Sequence, residues 1–225
     1  MNTAIIVAAG SGSRFDPRVP KQFVKLGGKP VILRTLEVFE LCQAIDEIVL
    51  VLSQAGRDEF ETLRSGYRFD KLRSVVVGAD TRAGSVRKGL DAVDSSTAEI
   101  VAIHDGARPL VTVDEITRTV QRAMETGAAC LVAEVTDTIK QVEGAEIAGT
   151  IDRSGLRRAL TPQAFRYDLI MRAFADDTFD DTATDESSLV ERLGVKVSAV
   201  EGSGRNIKIT RPEDLILAEA LLREL

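Results

Sequence analysis

The chain has 225 residues, with 29 Lys or Arg against 35 Asp or Glu, so its formal net charge is −6 and its pI is near 5.0. This length suits one large α/β domain over residues 1–225, and the acidity argues against nucleic acid or an anionic membrane as partners, because both require a basic face. Two cysteines and one histidine cannot form a cysteine/histidine metal cluster. Because the sequence has no basic signal region and no long apolar run, we expect a cytoplasmic protein.

The predicted elements begin with apolar strands that alternate with helical patterns. Strand-like runs fall at residues 3–7, 47–53, 73–77, 99–103 and 128–135, and helical periodicity falls at 31–41, 57–64, 82–93 and 114–125. This alternation predicts crossover units and a mostly parallel sheet. Ligands of such sheets bind beyond the carboxyl ends of the strands, at the point where the strand order reverses.

The pattern changes in the second half of the chain. Residues 137–159 mix polar and apolar side chains around glycines without a helical period, which predicts a β-hairpin arm. Such a hairpin is too short to fold alone, and a partner subunit is one plausible surface for it. The remaining predicted elements are helices at 167–174, 185–193 and 212–222 and strands at 195–200 and 206–209.

Two further segments have the residues of a helix start. Residues 161–165 fit a loop and a helix start, with Thr161 as the cap and Pro162 at the first helical position. Asp185 and Glu186 also fit a helix N-terminus, where the helix dipole stabilises carboxylates. By themselves these segments indicate structure and no particular chemistry.

The turn after the first strand, residues 8–14, is rich in Ala, Gly and Ser. Small residues let backbone N–H groups approach an anion, and Arg14 and Lys21 add positive charge nearby. The segment lacks the Gly-Lys-Ser/Thr ending of a P-loop, and Phe15 stands where a dinucleotide fingerprint needs its third glycine. These residues predict a polyphosphate site, with a simple tight turn as the alternative.

Polar groups follow the third predicted strand, in residues 78–85. Asp80 or Thr81 could cap the next helix, or the same atoms could read the base or sugar of a nucleotide. Both readings remain open at this stage.

Residues 104–109 end a strongly apolar strand, so a rigid element carries Asp105 and Arg108 to the ligand-binding edge of the sheet. Asp105 could hold Mg²⁺ or a ribose while Arg108 binds a second anion, and an Asp–Arg structural pair is the alternative. His104 is interpreted as a packed or hydrogen-bonding histidine. Lys208 lies in a strand pattern and is either a solvated lysine or a third cation for phosphates.

Taken in order, these motifs resemble those of the 2-C-methyl-D-erythritol 4-phosphate cytidylyltransferase family. The resemblance spans nearly the whole chain, and the ordered set is far more specific than any single piece. Its parts are the Ala-Ala-Gly-x-Gly-x-Arg turn at 8–14, Pro20-Lys21-Gln22, Gly78-x-Asp80-x-Arg82-x-x-Ser85, His104-Asp105-x-Ala107-Arg108-Pro109, Asp137-Thr138, the Thr161 to Phe165 segment, Thr184-Asp185-Glu186 and Asn206-Ile207-Lys208-Ile209-Thr210.

The resemblance implies a Rossmann-like nucleotidyltransferase fold, with a mostly parallel twisted sheet, helices on both faces and a protruding β-hairpin arm that joins a homodimer. It also implies a Mg²⁺-dependent reaction of CTP with 2-C-methyl-D-erythritol 4-phosphate. The implied catalytic residues are Arg14, Lys21 and Lys208, and Asp105 is the implied metal residue. The implied CTP-binding residues are Ala8, Ala9, Gly10, Gly12, Asp80, Ser85, Asp105 and Ala107. The resemblance also implies that the acceptor phosphate is held by Arg108, Thr138 and, from the partner arm, Arg153.

Three other functions remain as alternatives. A ribitol-5-phosphate cytidylyltransferase would share the nucleotide half, but Ala107-Arg108 and the arm residues 152–156 look more like the methylerythritol enzyme. A non-catalytic CTP sensor would not need both Lys21 and Lys208 directed at phosphates. A dinucleotide oxidoreductase is disfavoured by Phe15.

Overall fold

The computed structural model describes residues 1–10, 15, 20–175 and 185–224. The strands in these ranges are β1 (Asn2–Ala8), β2 (Lys25–Leu26), β3 (Lys29–Pro30), β4 (Glu47–Leu52), β5 (Leu72–Val77), β6 (Ile100–Asp105), β7 (Ala128–Glu134), β8 (Ile139–Glu143), β9 (Glu146–Ile151), β10 (Arg157–Arg166) and β11 (Ser198–Glu201). The α-helices are α1 (Val31–Leu41), α2 (Gln54–Leu63), α3 (Arg82–Asp91), α4 (Val113–Thr126), α5 (Tyr167–Ala175), α6 (Glu186–Arg192) and α7 (Pro212–Leu222).

Seven of these strands form one sheet in the order β11-β7-β10-β6-β1-β4-β5. Only β10 runs antiparallel to its neighbours within the described part of this sheet. The predicted mostly parallel α/β fold is therefore confirmed. The chain reverses its strand order at β1, which pairs with β4 on one side and with β6 on the other.

Helices cover both faces of the sheet because each strand buries its two sets of alternate side chains. Ile6 of β1 packs in a cluster with α1, α2 and α4, while the neighbouring Ile5 packs in a second cluster with α3, α5 and α6. Both isoleucines are fully buried. Strands buried on both faces have the continuous apolar pattern from which they were predicted.

Residues 137–159 contain the expected antiparallel hairpin, formed by β8 and β9, although residues 157–159 already belong to β10. The arm thus extends the β7–β10 hairpin of the central sheet. Val142 and Ile147 on the arm are 58% and 66% exposed, which leaves an apolar surface on this chain. Among the described residues, no helix combines the length and apolarity that crossing a bilayer would require.

The prediction that residues 161–165 start a helix is wrong, because they form the buried middle of β10. Pro162 is tolerated there since the pairing of β10 with β7 shifts between Ala159 and Gln163, and the ladder with β6 begins at Gln163. The missing N–H of Pro162 therefore breaks no regular ladder.

The predicted strand at 206–209 is also wrong. Ile209 does donate its N–H to Ala107 O at 2.9 Å, but the carbonyl of Asn206 accepts from the Arg108 side chain instead of from a neighbouring strand. Apolar alternation in this segment comes from packing a loop against the core, and Ile209 is fully buried.

Candidate active site

The carboxyl ends of β1, β4, β5 and β6 meet at a cavity of about 640 Å³, at the point where the strand order reverses. This is the edge at which ligands of doubly wound sheets bind. The cavity brings together most of the predicted site residues. Those that line it are Ala8, Ala9, Gly10, Lys21, Asp80, Ser85, Asp105, Ala107 and Lys208. Gly12 and Arg14 lie outside the described residues.

The first loop and the start of α3 approach each other closely at Gly78. A Cβ at this position would lie 2.6 Å from Ala9 Cβ and 2.7 Å from Ser85 Oγ. Only a glycine fits between the two walls. The close contact holds the backbone of the first loop against the turn that carries Asp80.

Thr81 and Ser85 organise this turn from within. Thr81 caps α3 by accepting from Gly84 N at 3.0 Å, so the capping interpretation is confirmed for Thr81. Ser85 Oγ accepts from Ala79 N at 3.0 Å and is 2% exposed, so its hydroxyl shapes the turn. Asp80 is exposed and lines the cavity.

Asp105 lies at the centre of the charged part of the cavity. Its side chain is 9% exposed, and its carboxylate is 3.1 Å from Arg82 Nε, 3.0 Å from Lys208 Nζ and 3.3 Å from Arg108 Nε. Burial alone would raise the pKa of Asp105, but the attraction of these cations outweighs it and holds the pKa far below the usual range. Asp105 is therefore an ionised carboxylate that gathers three positive groups around the cavity.

Arg82 extends this cluster to a second buried carboxylate. Its guanidinium donates to both oxygens of Glu186, at 2.5 and 3.1 Å, and Glu186 is 1% exposed. Burial raises the pKa of Glu186 against the attraction of Arg82. Three cations against two carboxylates leave this cluster with a net positive charge, which suits anionic ligands.

Arg82 and Glu186 both stand within the quoted motifs, but their sequence context predicts no ligand-binding or catalytic role for either residue. They are 104 positions apart, so no local spacing could have paired them. The one signal in the sequence was that each residue directly follows a helix cap, Thr81 before Arg82 and Asp185 before Glu186. Gln22, Ser53 and Thr210 also line the cavity and were likewise unassigned.

The three residues expected to hold the acceptor phosphate are not among those that line the cavity of this chain. Arg108 is 12% exposed at its side chain, and its Nη1 donates to Asn206 O at 2.8 Å. Thr138 and Arg153 are exposed on the arm. Their positions leave them accessible to a second copy of the chain.

His104 is fully buried, with its ring centroid 4.9 Å from that of Phe39. Burial lowers the pKa of His104 to about 3, so the ring is neutral at pH 7. The ring is hydrogen-bonded on both nitrogens to protein groups, at Thr161 and Arg108. A histidine in this setting has no open nitrogen for proton transfer to a ligand.

Comparison with known proteins gives a consistent result. A sequence profile of the 2-C-methyl-D-erythritol 4-phosphate cytidylyltransferase family (IspD) matches residues 2–224. A protein of that name from Geobacillus kaustophilus is 47% identical over 220 residues, which cover 97% of this chain and 96% of the relative. A bifunctional enzyme IspD/IspF from Desulfotalea psychrophila is 43% identical over 224 residues, covering 99% of this chain and 57% of its own length. The crystal structure of 4-diphosphocytidyl-2C-methyl-D-erythritol synthase from Anaerococcus prevotii has a TM-score of 0.86 at 33% identity and covers 99% of this chain and 96% of its own.

Proposed function

This chain belongs to the 2-C-methyl-D-erythritol 4-phosphate cytidylyltransferase family and transfers a cytidylyl group from CTP to that phosphate in isoprenoid biosynthesis, and we propose that the Asp105 cavity is its active site. The observation that carries the site assignment is the cluster of Arg82, Arg108 and Lys208 around one buried carboxylate. The cluster lies at the sheet edge where nucleotides bind in such folds.

The reaction joins two anions. An oxygen of the acceptor phosphate attacks the α-phosphorus of CTP, the bond to the β-phosphate breaks, and pyrophosphate leaves with the electron pair. The attacking oxygen already carries negative charge, so no general base is required, in keeping with a site whose single histidine is buried and neutral. Catalysis then depends on alignment and on neutralising charge that grows toward the pyrophosphate.

The CTP half of the site is assigned to the first loop and the start of α3. Ala8, Ala9 and Gly10 present backbone with little side-chain obstruction at the cavity. Asp80 and Ala107 line the same cavity and are placed on the base and ribose side. Lys21 is assigned to the phosphates, together with Arg14, which lies outside the described residues.

We propose Mg²⁺ as the cofactor, and Asp105 is the residue that would hold it. Among the described residues there is no group of three or more ligating side chains, so the triphosphate oxygens and water would complete the coordination. The donor chemistry fits, because Asp105 is an ionised carboxylate that lines the cavity and Mg²⁺ prefers carboxylate oxygens as protein ligands. When bound, Mg²⁺ would draw the phosphate oxygens together and neutralise part of their charge.

The acceptor half is assigned to Arg108 and Thr138 of one chain and to Arg153 on the arm of its partner, with Lys208 of the first chain at the reaction centre beside the acceptor phosphate. The exposed Val142 and Ile147 on the same arm supply apolar surface for a homodimer. Arg153 donates a hydrogen bond to the carbonyl of Thr136, which joins the two ends of the arm within one chain. In this arrangement each site is completed by the second copy.

The cytoplasm is the compartment that we infer. Cys42 and Cys130 are both free and buried, as in proteins that fold where thiols stay reduced.

Replacement of Lys208 tests the site assignment. We expect Lys208→Ala to lower turnover about 100-fold or more in a pyrophosphate-release assay with CTP, the acceptor and Mg²⁺. Lys88→Ala is the matched control, because Lys88 is exposed on α3 outside the cavity. Near-normal turnover of Lys208→Ala would remove this residue from the site, and activity retained after complete removal of divalent cations would exclude the metal.

Mixing two inactive variants tests the contribution of the partner arm. Lys208→Ala and Arg153→Ala each damage both sites of their own dimer, but a mixed dimer regains one intact site if Arg153 acts across the interface. Random pairing after co-expression should restore about a quarter of wild-type activity, since half of the dimers are mixed and each has one intact site. Recovery no greater than the sum of the two single variants would place Arg153 in its own chain's site.

A further inference from the structure

A closed ring of hydrogen bonds lies behind Asp105. His104 Nε2 is 3.2 Å from Arg108 O, and His104 Nδ1 is 3.0 Å from Thr161 Oγ1. The Thr161 carbonyl accepts from Asn206 Nδ2 at 2.9 Å, and the Asn206 carbonyl accepts from Arg108 Nη1 at 2.8 Å, which closes the ring. Thr161 Oγ1 also accepts from Asp105 N at 3.1 Å.

The geometry assigns every proton in this ring. The Arg108 carbonyl can only accept, so His104 carries its proton on Nε2. A buried neutral ring then accepts at Nδ1, and the Thr161 hydroxyl donates to it while its oxygen accepts from the Asp105 N–H. Inverting either the histidine tautomer or the hydroxyl would set two donors or two acceptors against each other.

The ring joins three parts of the chain, two of which carry charged groups of the site. His104 lies in β6 directly before Asp105, the last residue of that strand, Thr161 lies in the neighbouring β10, and Asn206 precedes Lys208 by two positions. His104, Thr161 and Asn206 are 0%, 3% and 1% exposed. None of the three lines the cavity, so they act on a ligand only through other residues.

We propose that His104 and Thr161 are positioning residues, which hold Arg108 and Lys208 at the distances from Asp105 that acceptor binding requires. The inference rests on the proposed assignment of those two cations to the acceptor phosphate. Removing the Thr161 hydroxyl leaves His104 Nδ1 and the Asp105 N–H unpaired inside the protein. Relaxation of the turn then moves Arg108 and Lys208 most directly, because the hydrogen bonds of the ring are made by residues 104–108, 161 and 206 and by none of residues 8–10 or 78–81, which are assigned to CTP.

A matched pair of substitutions at Thr161 tests the proposal. Thr161→Val keeps the shape and removes the hydroxyl, whereas Thr161→Ser keeps the hydroxyl and removes a methyl. We expect Thr161→Val to lower kcat/KM for the acceptor at least about tenfold with the KM for CTP changed less than about threefold, and Thr161→Ser to stay within about threefold of wild type. If Thr161 were purely structural, its replacement would change the kinetic constants for both substrates together. Thr161→Val and Thr161→Ser would then have similar kinetic constants.

The tautomer provides a readout that is independent of activity. Because His104 is the only histidine, the ring-nitrogen resonances of ¹⁵N-labelled untagged protein belong to it alone. A neutral ring protonated at Nε2 is expected at pH 7, with the Nδ1 resonance shifted in Thr161→Val and restored in Thr161→Ser. Protonation at Nδ1 would overturn the proposal.

His104→Phe provides a second route should Thr161→Val not fold. It keeps the ring that packs on Phe39 and removes both nitrogens. His104→Phe alone should lower kcat/KM for the acceptor at least about tenfold, and where both variants fold, the effects of His104→Phe and Thr161→Val on this constant should be strongly non-additive, because both delete the same bond. If Lys208→Ala impairs acceptor use and neither ring variant does, the ring has no positioning role. If Lys208→Ala has no effect either, the assignment of the acceptor site itself fails.

Discussion

The buried histidine makes protein stability depend on pH in a defined window. His104 is the only histidine, and burial lowers its pKa to about 3 in the folded state, whereas an unfolded chain has a histidine pKa of about 6.5. Between these values the unfolded state binds a proton that the folded state excludes. The stability contributed by the neutral ring is therefore complete above about pH 6.5 and is lost as the pH falls toward 3.

The size of the effect follows from the two pKa values. From pH 7 to pH 5, His104 should remove about 2 kcal/mol from the free energy of unfolding. The measurement is urea unfolding at 25 °C at pH 7, 6 and 5 for wild type and His104→Phe, with linear extrapolation at each pH. Carboxylates make similar contributions to the pH dependence of stability in both proteins. The free energy of unfolding of the wild type should therefore fall by about 2 kcal/mol more than that of the variant over this range. Parallel pH dependences would show that His104 takes up a proton in the folded state, and the reasoning from its burial would be refuted.

Three further substitutions test the charge cluster, the loop and the packing. Glu186→Gln removes one charge of a buried pair and should lower Tm by about 4–8 °C, from a loss of about 2 kcal/mol, while the exposed Glu191→Gln on the same helix leaves Tm unchanged in calorimetry. Lys21→Ala should lower kcat about 100-fold with Tm within about 2 °C of wild type, and near-normal turnover would remove Lys21 from catalysis. Gly89→Ala would place a Cβ 2.5 Å from Ile5 Cγ2, so thermal unfolding should show a loss of stability of about 1–2 kcal/mol, although alanine has the better helix propensity. An increase in Tm would mean that α3 can move away from the sheet.

Much of the fold could be predicted because its central strands are buried on both faces and helices such as α4 and α5 are amphipathic. α1 and α7 fall at the predicted bounds, and the predicted strands of the first half match β1, β4, β5, β6 and β7 within two residues. The errors lie where local residue preferences conflict with long-range pairing. Thr161 and Pro162 have the preferences of a helix start, but β6 and β7 pair with this segment and make it a strand.

The site was predictable where its chemistry follows directly from a strand end. Asp105 and Asp80 were assigned in this way, since strand order alone carries them to one sheet edge. Among the partners of Asp105, Arg108 was predicted through the alternative of an Asp–Arg structural pair, and the structure has that pair at 3.3 Å. Arg82 was not predicted as a partner, because no periodicity in the sequence indicates a contact across 23 positions. The role of Arg153 stays a prediction.

The order in which sheet neighbours meet has a consequence for synthesis on the ribosome. β1 can pair with β4 through Thr3 and Glu47 early in synthesis, but its other edge can pair with β6 only after Ile100 has been made. The hydrogen bond from Ile209 N–H to the Ala107 carbonyl can form only later, once Ile209 has been made. Asp105 thus lacks Lys208 until synthesis has passed residue 208, so the cluster of cations around Asp105 forms only after that segment has been made.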